Sequence, residues 1–107
     1  MKTRKYAVKQ DANHAAILNG LRNLGYAVLD LKSLGGGAPD LLVTTIPWDV
    51  IIQSNNKSYY ILHWWLVEIK TDKGALNAKQ KKWRDNWTGP QPIMARSLED
   101  LLRQIQG

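Results

Sequence analysis

Two stretches of the sequence decide the fold: Gly-Gly-Gly-Ala-Pro-Asp-Leu-Leu-Val-Thr-Thr at residues 35–45 and Leu-Val-Glu-Ile-Lys at residues 66–70. Each contains a run of apolar residues that is typical of a buried strand. Each run also has charge at one end, Asp40 in the first and Glu68 and Lys70 in the second. Because a buried charge costs free energy unless a partner compensates it, these three residues are the first candidates for function.

The spacing of the charged residues brings them together. Residues two apart on a strand project from the same face, so Glu68 and Lys70 point in one direction. If the strand that begins at Asp40 pairs with theirs, the Asp40 carboxylate arrives at the same edge. Two neighbouring carboxylates repel each other unless one is protonated or a cation lies between them. Oxygen ligands without Cys or His favour Mg²⁺ or Mn²⁺ over zinc.

Lys70 determines which reaction such a site supports. A lysine beside two metal-binding carboxylates can orient or deprotonate an attacking water and stabilise charge on a phosphate, which suits hydrolysis of a phosphodiester. The alternative is a salt bridge between Lys70 and one carboxylate at the end of a strand. The spacing leaves both interpretations open.

The composition is that of a basic protein with one core. A length of 107 residues predicts a single domain over 1–107. Fifteen Lys and Arg against nine Asp and Glu give a formal net charge of +6, which favours a polyanionic partner such as nucleic acid. The chain has no Cys, no apolar run of membrane-spanning length and no signal-peptide core. We therefore expect a cytoplasmic protein without membrane association.

The periodicity predicts an α/β (α+β) fold with the element order α-β-β-β-α-β-α. A basic arm is expected at 1–10, followed by a helix that begins at Asp11 as N-cap and stops at Gly25. The remaining predicted elements are strands at 26–31, 40–45 and 59–70, a helix from the N-cap Asn77 to Trp87 or Thr88, an edge strand at 92–96 and a final helix capped by Ser97. Apolar residues on both faces of 59–70 predict a central strand covered by helices on both sides.

The segment at 46–60 is predicted to be a hairpin insertion, because 54–58 is a turn-rich cluster. Its aromatic residues Trp48, Tyr59 and Tyr60 are candidates for clamping DNA, for stacking on an unpaired base or for a dimer interface. Ordinary packing of these rings is the alternative.

The three consecutive glycines at 35–37 are not expected to bind a nucleotide cofactor. They precede a strand rather than a helix, and no Gly-Lys-Ser/Thr follows them. Their use is conformational, since glycine lets the backbone take positive φ and approach a neighbouring segment closely.

The charged motif and its context resemble the PD-(D/E)XK nuclease superfamily, in which Pro-Asp and Glu-x-Lys lie on consecutive strands. Four blocks in order are similar to stand-alone VRR-NUC-type nucleases of phages and bacteria: Asp11-Ala12-Asn13, Gly36 to Val43, Val67 to Lys70, and Leu76 to Trp83 with Gln80. The similarity runs from Asp11 to the final helix. The sequence departs from the family pattern between Thr45 and Trp64, where the predicted hairpin is longer than the short turn usual in the family.

The resemblance implies a restriction-endonuclease-like core and a set of site residues. Asp40 and Glu68 would bind Mg²⁺, or Mn²⁺, together with the main-chain carbonyl of Ile69, and Lys70 would serve the attacking water. Gln80 would belong to the site, with a glutamine satisfied by backbone groups as the alternative. Asp11 is a further candidate ligand, although its position as an N-cap explains it equally well, and Asn13 is the weaker rival for that role.

The implied activity is that of a divalent-metal-dependent DNA endonuclease selective for branched, junction or flap DNA. We assign DNA binding to four basic residues: Lys73, Lys79, Lys82 and Arg84. One monomer offers too little surface to hold a four-way junction, so a homodimer is expected. The competing class is a nuclease fold that binds nucleic acid without cutting it.

Overall fold

The described part of the chain is an α+β structure in which three helices accompany a four-stranded mixed sheet. It is a computed structural model that describes residues 2–45, 51–60 and 63–106. The elements in chain order are α1 (Lys2–Asn23), β1 (Ala27–Asp30), β2 (Leu41–Thr44), β3 (Ile51–Ser54), β4 (Lys57–Tyr60), β5 (Trp64–Ile69), α2 (Ala78–Asn86), β6 (Ile93–Ala95) and α3 (Leu98–Gln106). The predicted α+β class is confirmed.

The sheet has the strand order β1-β2-β5-β6. Strand β2 is antiparallel to both β1 and β5, whereas β5 and β6 are parallel. Leu41 lies opposite Val67, and the Asp40 N–H donates to the Val67 carbonyl at 2.9 Å, which extends the ladder by one residue. The two charged strands are therefore paired, which is the condition under which Asp40 reaches the same edge as Glu68 and Lys70.

The core lies between one face of this sheet and helices α1 and α3. Ile17 and Leu21 of α1 and Leu101 of α3 are fully buried against alternate residues of the strands, among them Val43 and Val67. On the opposite face Trp64 is still 44% exposed, and α2 has no buried residue. The predicted cover by helices is complete on one face of the sheet and partial on the other.

Helix α1 begins at Lys2, so the predicted start at Asp11 is wrong. Residues 2–10 continue the helix instead of forming an arm, and Asp11 lies in the helix interior. The cause is that residues 2–19 contain neither Gly nor Pro, so nothing in the sequence stops the helix from extending towards its N-terminus.

Among the described residues, no helix has the length and apolar character needed to cross a membrane.

Strands β3 and β4 form a hairpin within the segment predicted for it. Asn55 and Asn56 have φ values of 53° and 64°, as a two-residue turn of type I′ requires. The predicted continuous strand at 59–70 is wrong, because β4 pairs with β3 in a separate sheet and β5 begins at Trp64. Trp48 and the side chains of Tyr59 and Tyr60 lie outside the described part of the chain, as do residues 46–50 and 61–62.

Candidate active site

Three predicted site residues, Asp40, Glu68 and Lys70, lie together where strand β2 begins and strand β5 ends. Glu68 and Lys70 are 3% and 6% exposed, and they lie on the face of β5 opposite the core. Asp40 precedes β2 directly, and its Oδ2 accepts a hydrogen bond from the Ile69 N–H at 2.7 Å. The Asp40 side chain is thereby fixed beside the end of β5, as the sequence predicted.

The carboxyl group of Glu68 is the most perturbed acid of the site. Burial raises the pKa of Glu68 to about 8, and a hydrogen bond with Asp40 and the charge of Asp40 act in the same direction. Lys70 and Arg84 oppose the shift with smaller effects. In the absence of a cation, the Asp40–Glu68 pair therefore holds a proton at neutral pH, which is how two adjacent carboxylates avoid repulsion.

Lys70 is held by a glutamine. Its Nζ donates to Gln80 Oε1 at 2.8 Å, and the same oxygen accepts from the Asn77 N–H at 3.0 Å. In return the Gln80 N–H donates to Asn77 Oδ1 at 2.9 Å, which completes a capping box at the start of α2. Gln80 thus bonds backbone groups, as its structural interpretation expects, and it also holds the Lys70 side chain. Lys70 forms no ion pair with the described residues.

Gln10 of α1 reaches the carbonyl of Ile69, the predicted main-chain ligand. Its Nε2 donates to that oxygen, while its Oε1 is buried without a hydrogen-bond partner among the described residues. Gln10 was not predicted as a site residue because the predicted helix began too late in the chain, at Asp11 rather than at Lys2. The signal was present, since Gln10 precedes His14, Ile17 and Leu21 by 4, 7 and 11 residues and so shares their helix face.

Asn13 anchors the same helix to the ends of β5 and β6. Its Nδ2 donates to the Lys70 carbonyl at 2.9 Å and to the Arg96 carbonyl at 3.1 Å. Arg96 in turn donates to the carbonyls of Thr71, Asp72 and Gly74 in the loop that follows Lys70. These contacts fix the backbone on which Lys70 lies.

Asp11 does not join the carboxylate pair. Its side chain is 64% exposed and contacts Lys32, and this hydrogen bond holds the pKa of Lys32 above its ordinary value. Throughout the ranges that the structure describes, no three or more His, Cys, Asp or Glu side chains are grouped to hold a metal. A cation here would depend on two carboxylates and on oxygens of other kinds.

Those other oxygens are present. Asp40, Glu68 and the Ile69 carbonyl form an all-oxygen donor set of the kind that Mg²⁺ and Mn²⁺ prefer. The proton shared by the two carboxyl groups is what a divalent cation would replace. The buried Oε1 of Gln10, which shares its amide group with the donor to the Ile69 carbonyl, is a further oxygen without a hydrogen-bond partner in the part of the chain that the structure describes. The residues present therefore fit such an ion.

The predicted DNA-binding residues do not share one surface. Lys79 and Lys82 are exposed on α2, and Lys73 is exposed in the loop after β5. Arg84 is turned inward: its guanidinium donates to the Pro92 carbonyl at 3.0 Å and acts electrostatically on Glu68. Its second terminal nitrogen is buried without a partner among the described residues. Arg84 thus belongs with the carboxylate pair rather than with the exposed lysines.

Comparisons with known proteins leave the family open. No protein-family model matches the chain, and neither the curated proteins nor the solved structures include a significant match. The resemblance to PD-(D/E)XK nucleases rests on the residues quoted above and on their spacing.

Proposed function

We propose that the protein is a divalent-metal-dependent DNA endonuclease with a restriction-endonuclease-like core of the PD-(D/E)XK type. The observation that carries the proposal is the grouping of Asp40, Glu68 and Lys70, with two of the three buried and the Glu68 pKa raised to about 8. Perturbed ionisable groups that converge in this way are typical of catalytic sites. The net charge of +6 supports a polyanionic substrate.

Each residue has a role in this proposal. Asp40, Glu68 and the Ile69 carbonyl would hold Mg²⁺ or Mn²⁺, which when bound supplies a Lewis acid and a template for the scissile phosphate. Lys70 orients the attacking water or stabilises charge on the phosphate. Gln80 keeps the Lys70 Nζ in place, and the Ile69 N–H does the same for the Asp40 carboxylate.

The proposal includes the substrate and the assembly. Lys73, Lys79 and Lys82 contact phosphates of branched, junction or flap DNA, and two copies of the chain form a homodimer with two sites. Sedimentation equilibrium tests the dimer, which should have twice the mass of the 12.2 kDa chain. The proposed compartment is the cytoplasm of a bacterial cell or of a phage-infected host, in keeping with the absence of Cys.

Cleavage assays test the catalytic residues. Labelled junction, flap and duplex DNA should be cut with Mg²⁺ and left intact with EDTA. Lys70→Ala and Asp40→Asn should each lower the cleavage rate by roughly 10²-fold or more, because they remove a group that acts at the reacting phosphate. Lys81→Ala and Asp72→Asn, exposed positions of the same residue types, should cut as the wild type does. Unchanged cleavage by Lys70→Ala or Asp40→Asn would remove the mechanism.

One observation favours the competing class, a module that binds nucleic acid without cutting it. The carboxylate pair is satisfied by a shared proton and Lys70 by Gln80, so these side chains are compensated without a cation. This alternative predicts DNA binding that falls steeply with salt and no heat of Mg²⁺ or Mn²⁺ binding in calorimetry above pH 8, where Glu68 is ionised.

A further inference from the structure

A cleft between helix α2 and the glycine-rich loop contains an aromatic wall that the proposed hydrolysis does not use. Its volume is about 440 Å³, which lies in the range of small-ligand sites. Its lining residues are Gly36, Lys79, Lys82, Trp83, Asn86 and Trp87.

The cleft adjoins the candidate active site. A Cβ atom on Gly37 would lie 2.3 Å from the Lys79 carbonyl oxygen, so the loop and the first turn of α2 are in direct contact. The next residue on that turn, Gln80, holds Lys70. A strand with a phosphate at Lys70 therefore has the cleft as its neighbour.

The wall of the cleft is aromatic and rigid. The rings of Trp83 and Trp87 stack with their centroids 5.1 Å apart and their planes at 21°. The Trp87 Nε1–H donates to the Pro90 carbonyl at 2.8 Å, which fixes the orientation of that ring. Trp83 and Trp87 are both half-buried, so both indoles remain partly accessible. Two accessible stacked indoles are a platform of the kind on which single-stranded nucleic acids stack their bases.

The rim of the cleft is polar and positive. Lys79 and Lys82 are exposed and complement a phosphate, while the exposed amide of Asn86 can bond the edge of a base. A flat apolar wall, two cations and an amide together match one nucleotide. A purely apolar partner would give Lys79 and Lys82 no anionic group to bind.

We infer that this cleft binds an unpaired nucleotide of the DNA strand next to the scissile phosphate, a position that rests on the proposed function. A base within a duplex has both faces occupied by stacking and must be flipped out before it can enter such a cleft. The cleft therefore selects DNA that has unpaired nucleotides beside the cut, such as a flap.

Binding in EDTA tests the cleft without cleavage. The probes are a fluorescein-labelled twelve-nucleotide oligo-dT and a labelled blunt duplex of the same length, measured by fluorescence anisotropy. Trp83→Leu should weaken oligo-dT binding by about tenfold and duplex binding by less than about twofold, because stacking on the wall is lost. Trp83→Phe should keep most of the affinity, since a benzene ring still stacks.

Leu29→Ala is the control, because Leu29 is 57% exposed on β1 and does not line this cleft. Asn86→Ala, at an exposed position of the cleft, replaces Trp83→Leu if that variant does not fold, and should lower oligo-dT binding alone by about threefold. Equal affinities in wild type and cleft variants, or equal losses for both DNA forms, would overturn the inference.

Cleavage separates this inference from the nuclease proposal. If no DNA is cut with Mg²⁺ while oligo-dT binding depends on Trp83, the nuclease proposal fails and the cleft remains a nucleotide site. If DNA is cut and the flap-to-duplex cleavage ratio is the same in wild type and Trp83→Leu, the cleft inference fails and the nuclease proposal stands.

Discussion

At the scale of single residues, the proton on Glu68 links stability to pH. The pKa of Glu68 is about 8 in the fold against 4.5 ordinarily, so between these values the folded state keeps a proton that the unfolded chain has released. The stability associated with this proton is complete below about pH 4.5 and is lost as the pH rises towards 8, by up to about 1.4 kcal/mol per pH unit. Above the folded pKa the loss ends.

Glu68→Gln should remove this dependence, because the amide does not titrate. We expect the variant to gain stability relative to wild type between about pH 5 and about pH 8, measured by urea unfolding in EDTA. Asp72→Asn, at an exposed carboxylate, is the control, and its unfolding free energy should change between the two pH values as that of the wild type does. A constant difference between Glu68→Gln and wild type across this range would show that Glu68 is ionised throughout.

The predictability of the site also differs from residue to residue. The sequence brought Asp40, Glu68 and Lys70 together because strand periodicity and one pairing suffice to place them. Gln10 and Arg84 were not placed there, for different reasons. Gln10 depends on where α1 begins, which no cap marks, and Arg84 depends on the direction that a long side chain takes from its helix.

At the scale of elements, helix α2 was predicted best because its signals are local. Asn77 caps it and Gln80 completes the capping box, two residues whose spacing alone identifies a helix start. Strand β5 was predicted with the wrong beginning, because uninterrupted apolar sequence does not show that β4 and β5 belong to different sheets.

The contact between the glycine-rich loop and α2 gives a prediction at this scale. Gly35 and Gly37 have φ values of 66° and 85°, so alanine at either position costs about 1 to 2 kcal/mol through the backbone. Only at Gly37 would the added Cβ also meet backbone, at 2.3 Å from the Lys79 carbonyl oxygen, whereas nothing lies within 4 Å at Gly35. Gly37→Ala should therefore be the more destabilising by a further 1 kcal/mol or more, about the cost of overpacking.

Urea unfolding of the two glycine variants measures this difference. Gly37→Ala should also lower the cleavage rate beyond the effect of Gly35→Ala, because displacing the first turn of α2 moves Gln80 and with it Lys70. Equal unfolding free energies would show that the loop separates from α2 at no cost.

At the scale of the whole molecule, the sequence predicted the α+β class and left the pairing of the charged strands as a condition, which the sheet meets. The sequence did not predict that one face of the sheet stays partly open. On that face, strand residues that are exposed to solvent are as apolar as strand residues that are covered by a helix. Leu29 and Trp64 on this face are 57% and 44% exposed. Burial of an apolar strand face depends on how far the neighbouring helices reach, which no local pattern contains.

The positive charge of the molecule has a testable consequence for DNA binding. With a net charge of +6, DNA is attracted to the whole protein, but only lysines that contact phosphates release counterions when it binds. If Lys79 and Lys82 make such contacts, Lys79→Gln with Lys82→Gln should reduce the slope of log affinity against log salt by about 1.8 for duplex DNA. Arg22→Gln with Arg103→Gln removes the same charge from helices on the other side of the sheet and should leave the slope nearly unchanged. Equal reductions in the two double variants would show that DNA is held by the overall field rather than by contacts along α2.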